Sequence, residues 1–236
     1  MLLAINTATS HLSVALLEDG LVLAEASQRV GAEHSEVIFR LLESLFAWVD
    51  RPRTDLQAVG VSTGPGGFTG LRTGIALAKT VAQALDIPVY GVDTLAALAY
   101  QVPGPHVVSA MLDGRLGKVF AALYRVEGNR LVELEPGRLA PLDDWLAVLE
   151  AHDGPMAMVG EGATTYRDRL DNPAKGWWVP PDAHMAAGAM AVGLLAAQKL
   201  DAGTPSELAT LAPVYHREPQ AVVNWEAAQR AKQEDA

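Results

Sequence analysis

Gly60-Val61-Ser62-Thr63-Gly64 satisfies G-x-S-x-G, the pattern in which a serine on a sharp strand-to-helix turn serves as an acyl nucleophile. Asp143, Asp144 and Asp153 precede His184 and His216, so a Ser, Asp, His order can be assembled along the chain. Against it stands Pro65-Gly66-Gly67-Phe68, which separates the serine from the helix that an elbow must enter directly. A serine hydrolase using Ser62 therefore stands as the lesser alternative. The same stretch continues into a glycine cluster, Gly64, Gly66, Gly67 and Gly70, ahead of a helix. Backbone N–H groups at such a turn suit an anion. However, the next lysine is Lys79, well inside the helix, so no G-x-x-x-x-G-K-[ST] is present, and Thr69 replaces the third glycine of a G-x-G-x-x-G. Gly64, Gly66 and Gly67 are kept as weak cofactor-binding candidates, relevant only where a nucleotide lies near the loop. The plain reading is a tight turn with Thr69 capping the helix.

Other chemistry-bearing residues are sparse. A phosphotransferase with this pattern of elements wants an acid at the end of its first strand, and Asn6 stands there. An amide lacks the charge that a hard cation rewards. Its counterpart further on is Asp113, in an Asp113-Gly114 turn, with Arg115 placed to pair with a nearby acid. The six histidines form no H-x-x-x-H or H-E-x-x-H pair, and the chain has no cysteine, so no metal site is expected. His34 reads as a capping or packing residue. Tyr215-His216-Arg217 is a polar cluster suited to recognition or to anchoring the C-terminal segment.

The elements that must carry these residues follow from periodicity. Strands are predicted at 2–6, 12–18 and 21–28, the last two joined at Asp19-Gly20, a hairpin signal. A helix over 35–49, a strand over 58–62, the glycine loop, a helix over 71–85 and a strand over 89–92 complete a βββαβαβ half. After the break at 101–106 the order restarts. Strands are predicted at 107–112, 118–126 and 130–135, then a helix at 142–151, a strand at 156–159, and helices at 164–170 and 185–200. The expected domains are 1–102 and 103–218, two similar α/β subdomains of βββαβα type facing a cleft, followed by a tail over 219–236 that is a marginal helix or disordered. This element order resembles the RNase H-like folds of the actin, sugar-kinase and Hsp70 (ASKHA) superfamily.

Composition narrows the function classes. A formal charge of −10 argues against the chain holding nucleic acid by itself, because that affinity comes mainly from neutralising phosphates. The stretch 183–198 is uncharged but too short and too rich in Gly and Ala for a membrane span. It reads as a buried helix. The opening MLLAINTATS lacks a basic segment and a long apolar run, so no signal peptide and a cytoplasmic location are expected. The helix after the glycine loop is apolar on two sides, with Leu71, Ile75, Ala78, Ala82 and Leu85 on one and Thr73, Leu77, Thr80 and Ala84 on the other. Two neighbours are needed, either both within one subunit or one from another chain.

The segments STGPGGFTGLRTGIALAKTVAQALDIPVYGVDTLAALA, LLAINTATSHLSVALL, GAEHSEVIFRLLESL, DGRLGKVFAALY and PVYHRE together resemble the bacterial TsaB family, also called YeaZ. The resemblance implies a non-catalytic subunit in making N6-threonylcarbamoyladenosine at position 37 of tRNAs that read codons beginning with A. In that pathway TsaC makes threonylcarbamoyl-adenylate, TsaD transfers the group and TsaE is an ATPase. The implied partners are TsaD first, TsaE in a ternary complex, and a second copy when the chain is alone, with tRNA met only indirectly. No cofactor is implied for the chain alone, and ATP or ADP only within the complex. Where the transferase TsaD carries its N-H-x-x-x-H metal motif, alignment on VYGVDTLAALA places Thr94 and Leu98, neither of them a ligand. The partner face implied lies on the two helices of the first half, with Val37, Ile38, Leu41, Leu42, Leu45, Leu71, Arg72, Ile75 and Leu77. Leu45→Arg or Leu77→Arg is expected to abolish association and leave the monomer folded. The alternative from another class is a nucleotide-dependent phosphotransferase of the same superfamily.

Overall fold

The computed structural model describes residues 1–31, 34–103, 106–180 and 186–215. The first half holds β1 (Leu2–Asn6), β2 (His11–Glu18), β3 (Leu21–Arg29), α1 (His34–Val49), β4 (Ala58–Gly64), α2 (Phe68–Leu85), β5 (Val89–Asp93) and α3 (Thr94–Tyr100). The second half holds β6 (His106–Arg115), β7 (Lys118–Glu127), β8 (Arg130–Pro141), α4 (Leu142–Glu150), β9 (Met156–Val159), α5 (Glu161–Thr165), α6 (Arg167–Leu170), β10 (Trp177–Trp178) and α7 (Ala189–Asp201).

Each half folds on one five-stranded mixed sheet. The first has the order β3-β2-β1-β4-β5; the second, read from the same edge, is β8-β7-β6-β9-β10. In both, three antiparallel strands are extended by two parallel ones. This is the duplicated α/β arrangement expected from the order of elements. Alternation is lost in β1 and β4, which are buried along their whole length, because helices cover both faces of the sheet.

The apolar core forms three layers. One lies between the first sheet and the helices α1 and α2, and contains Leu3, Ile5, Leu12, Leu45, Val59 and Ile75. A second lies between the other sheet and α4, where Trp145 is wholly buried and its indole N–H donates to Ser109 Oγ at 3.0 Å. The middle layer joins the two sheets through α3 and α7.

In that middle layer the last helices of the halves are exchanged. α3 packs on β6, β7 and β8 as well as on the ends of β4 and β5, while α7 lies across β1, β2, β4 and β5 of the first sheet. Small residues make this approach close: a Cβ on Gly60 of β4 would stand 2.6 Å from the Ala196 Cβ of α7. The chain beyond α7 also stays with the first sheet. Ser206 N–H donates to Val89 O at 2.9 Å, and Val214 N–H to Thr63 O at 2.7 Å. Residues 189–215, within the expected second domain of 103–218, thus pack on the sheet of the first half. The tail at 219–236 lies outside the described residues, as do His184, His216 and Arg217.

Candidate functional site

Ser62 sits within β4, wholly buried, and its Oγ accepts the Thr7 N–H at 3.4 Å. That placement overturns the nucleophile-elbow reading, which requires the serine at an accessible turn. Asp143 and Asp144 lie in the first turn of α4, on the outer layer of the other half.

The glycine loop follows β4, and its first peptide, Gly64–Pro65, is cis. Gly64 adopts φ +125° and faces the Val214 carbonyl at the spot where a Cβ would point. Gly66 packs in the same way on the carbonyl of Ala8, and the Gly67 N–H donates to that oxygen at 2.7 Å. The close backbone approach that glycine allows is thus made to the protein's own chain. Gly64, Gly66 and Gly67, the weak cofactor-binding candidates, pack here on the β1–β2 turn at Ala8 and on the segment at Val214. α2 starts at Phe68 with Gly67 as its N-cap, so Thr69 is not the cap but a first-turn residue whose carbonyl accepts from Thr73 Oγ1 at 3.0 Å.

Asn6 is wholly buried at the end of β1. Its Oδ1 accepts the Ala8 N–H at 3.1 Å, and its Nδ2 donates to the Ala187 carbonyl, so the amide is engaged at both ends. Asp113, by contrast, is exposed and accepts the Arg115 N–H at 2.8 Å inside its own hairpin turn. Ser10 Oγ donates to Glu161 Oε1 at 2.7 Å, linking the β1–β2 turn to α5 of the other half. Thr94 and Leu98 are buried in the middle layer, and Asp93 caps α3 by accepting the Ala96 N–H at 2.9 Å. Among the described residues no three His, Asp or Glu side chains come together as a metal-ligand group.

The nine residues expected to form the partner face divide in two. Val37, Ile38, Leu45, Leu71 and Ile75 are buried; all but Leu71 sit in the first-half core layer. Leu41, Leu42 and Leu77 are half-buried and pack against that core, and Arg72 is exposed. The buried five are committed to the subunit's own interior, and Leu45→Arg tests folding rather than association. What the two helices present outward is different. Phe39 and Trp48 of α1 are 57% and 64% exposed, and Phe68 opens α2 in a cluster of its own. The Arg72 guanidinium lies 3.7 Å from the centre of the Phe68 ring. Tyr215 stacks on the same ring at 4.7 Å and accepts a hydrogen bond from Arg72 Nε at 3.1 Å. A rigid Phe–Arg–Tyr group of this kind has the composition of an interface anchor. The signal in the sequence was a large apolar residue standing off the core stripe, as Phe39, Trp48 and Phe68 do.

Comparison with known proteins places these features. The family described as TsaD, tRNA N6-adenosine threonylcarbamoyltransferase, matches residues 22–171. The tRNA threonylcarbamoyladenosine biosynthesis protein TsaB of Bacillus subtilis is 33% identical over 174 residues, which cover 72% of this chain and 75% of that protein. TsaB of Escherichia coli is 36% identical over 131 residues, 54% of this chain and 56% of its own length. Among solved structures, YeaZ from Pseudomonas aeruginosa superimposes with a TM-score of 0.79 at 26% identity, covering 91% of this chain and 98% of that one.

Proposed function

The chain belongs to the TsaB (YeaZ) family of tRNA threonylcarbamoyladenosine biosynthesis proteins, and on that premise we propose that it is a non-catalytic scaffold and activator of the transfer to A37 in tRNAs reading codons that begin with A. It binds TsaD through the outward side of α1 and α2, admits TsaE to a ternary complex, and pairs with a second copy through the same face when alone. The observation that carries this reading is the exposed Phe68–Arg72–Tyr215 group beside a glycine loop filled by the chain's own backbone. The loop fixes the start of α2, and α2 presents the anchor. Leu41, Leu42 and Leu77 border that face and complete it.

The charge of −10 fits the same division of labour, since the phosphates of tRNA are left to other subunits. Asn6, bound at both ends of its amide, supports the absence of phosphotransfer by this chain alone; any ATP or ADP belongs to the assembled complex. No described helix is long and apolar enough to cross a membrane; the cytoplasm is the compartment that this reading gives to the work on tRNA.

The test is reconstitution of tRNA threonylcarbamoylation with purified TsaC, TsaD and TsaE, with and without the chain, scored by mass spectrometry of the modified adenosine. Product is expected only when the chain is present, and none from the chain alone. Unchanged yield without it, together with no binding to TsaD, overturns the reading.

A further inference from the structure

On the flank where the edge strand β5 of the first sheet meets the edge strand β8 of the second, the halves leave a crevice of about 410 Å³. That is the size of a small-molecule site, and it lies apart from both the glycine loop and the exposed aromatic face. The β7–β8 register sets Tyr124 opposite Glu133, so the two side chains share one face of the sheet, with Leu131 two residues along on the same face. From the other half come Asp93, at the end of β5, and Lys199, in the last turn of α7.

Most of the hydrogen-bonding capacity here is already spent. Asp93 caps α3 and takes the hydrogen bond of the buried Tyr124 hydroxyl. Lys199 Nζ donates to the Gly91 carbonyl at 2.6 Å and is attracted by Asp93. Although much of the Lys199 side chain meets solvent, the partial desolvation of its ammonium lowers its pKa, an effect that Asp93 opposes. Glu133 is left over: it is exposed and enters no ion pair among the described residues. Two carboxylates against one engaged ammonium give the crevice a net negative charge, while Leu131 and Leu195 line it with half-buried apolar surface.

We propose that this crevice binds a protonated aliphatic amine, its ammonium hydrogen-bonded to Glu133 and attracted by the charge of Asp93, and its alkyl chain laid along Leu131 and Leu195. The site does not depend on the scaffold reading, because it touches neither α1 nor α2. Anions are disfavoured, since Lys199, the one cation among the described lining residues, is already bound to Gly91 and drawn to Asp93. The test is a two-dimensional amide NMR titration of the full chain with putrescine and n-butylammonium, with valerate as the anionic control of similar length. Saturable shifts are expected at Ala96, Gly137 and Thr204 with the amines and not with valerate. Glu133→Gln is expected to weaken the amine by about three- to fivefold, the worth of one partly exposed ion pair. Lys199→Met, which removes the competing cation, is expected to preserve or tighten binding. Absence of saturable shifts, equal affinity in Glu133→Gln, or loss of amine binding in a folded Lys199→Met protein overturns the proposal; valerate binding that requires Lys199 would mark an anion site instead.

Discussion

The two halves share one strand order, yet their outer helices face solvent in opposite ways. α1 and α2 carry Phe39, Trp48 and Phe68 outward, whereas α4 turns Trp145 and Leu149 inward and exposes Asp143, Asp144 and Glu150. The strand ends differ as well: Asn6 is sealed in and bonded at both ends, and Asp113 is exposed and bound within its own turn. Duplication has kept the backbone plan and let the chemistry diverge. On their outer helices the first half presents aromatic side chains and the second carboxylates.

That contrast can be broken first at the core. Leu45→Arg buries an unpaired guanidinium in the layer under α1 and is expected to cost about 4 kcal/mol or more, seen as loss of cooperative unfolding in urea. Trp48→Arg, three residues away on the exposed flank, is expected to leave the unfolding midpoint nearly unchanged. If both behave alike, the division between inward and outward faces of α1 is wrong.

The strand ends give the next effect. Asn6→Asp sets a carboxylate oxygen against the Ala187 carbonyl and is expected to destabilise by about 2–3 kcal/mol. Asp113→Asn keeps its acceptor for the Arg115 N–H and is expected to stay within about 0.5 kcal/mol. Equal changes in denaturant titrations would remove the asymmetry.

Partner binding sharpens the comparison further. Phe68→Ala or Arg72→Ala is expected to weaken TsaD binding by about 10–30-fold, the range of an interface anchor, with the fold retained. Asp144→Lys on α4 is expected to change it less than about twofold. Calorimetric titration reads both, and a strong effect at Asp144 would move the interface to the other half.

The smallest effect probes the seam between the halves. Burial chiefly, then the charges of Asp93 and Glu133 and the hydrogen bond to Asp93, raises the Tyr124 pKa above its ordinary value. The unfolded chain loses that proton near pH 10 while the folded one keeps it, so stability is full below about pH 10 and falls as pH rises beyond it, by at most about 1.4 kcal/mol per pH unit. Tyr124→Phe is expected to flatten the alkaline slope of the melting temperature. An unchanged slope would mean that Tyr124 is not the group being titrated.

Strands β1 to β9, the hairpin turns and α1 were legible because alternation and helical spacing are local properties. α3 was not, since Leu95, Ala97, Leu98 and Ala99 are buried on all sides and leave no amphipathic period. α7 was legible as a helix, but its place was not. Its small residues announce close packing, but only the fold says which sheet receives it. The apolar stripe on α1 and α2 pointed to the core, as stripes do, and the outward aromatic residues beside it carried the clue to a partner. Ser62 misled because a five-residue pattern does not record whether its serine lies in a strand or on a turn.

The exchange of α3 and α7 has a consequence for how the protein is made. When the ribosome has completed the first sheet, one face of it is still bare, and its cover, Ala189–Asp201, is about 100 residues away. At typical elongation speeds that is a wait of roughly 5–20 s. Throughout it the face of the first sheet that α7 covers has no cover from the chain itself, whereas the second sheet already has α3, so the second half can close before the first.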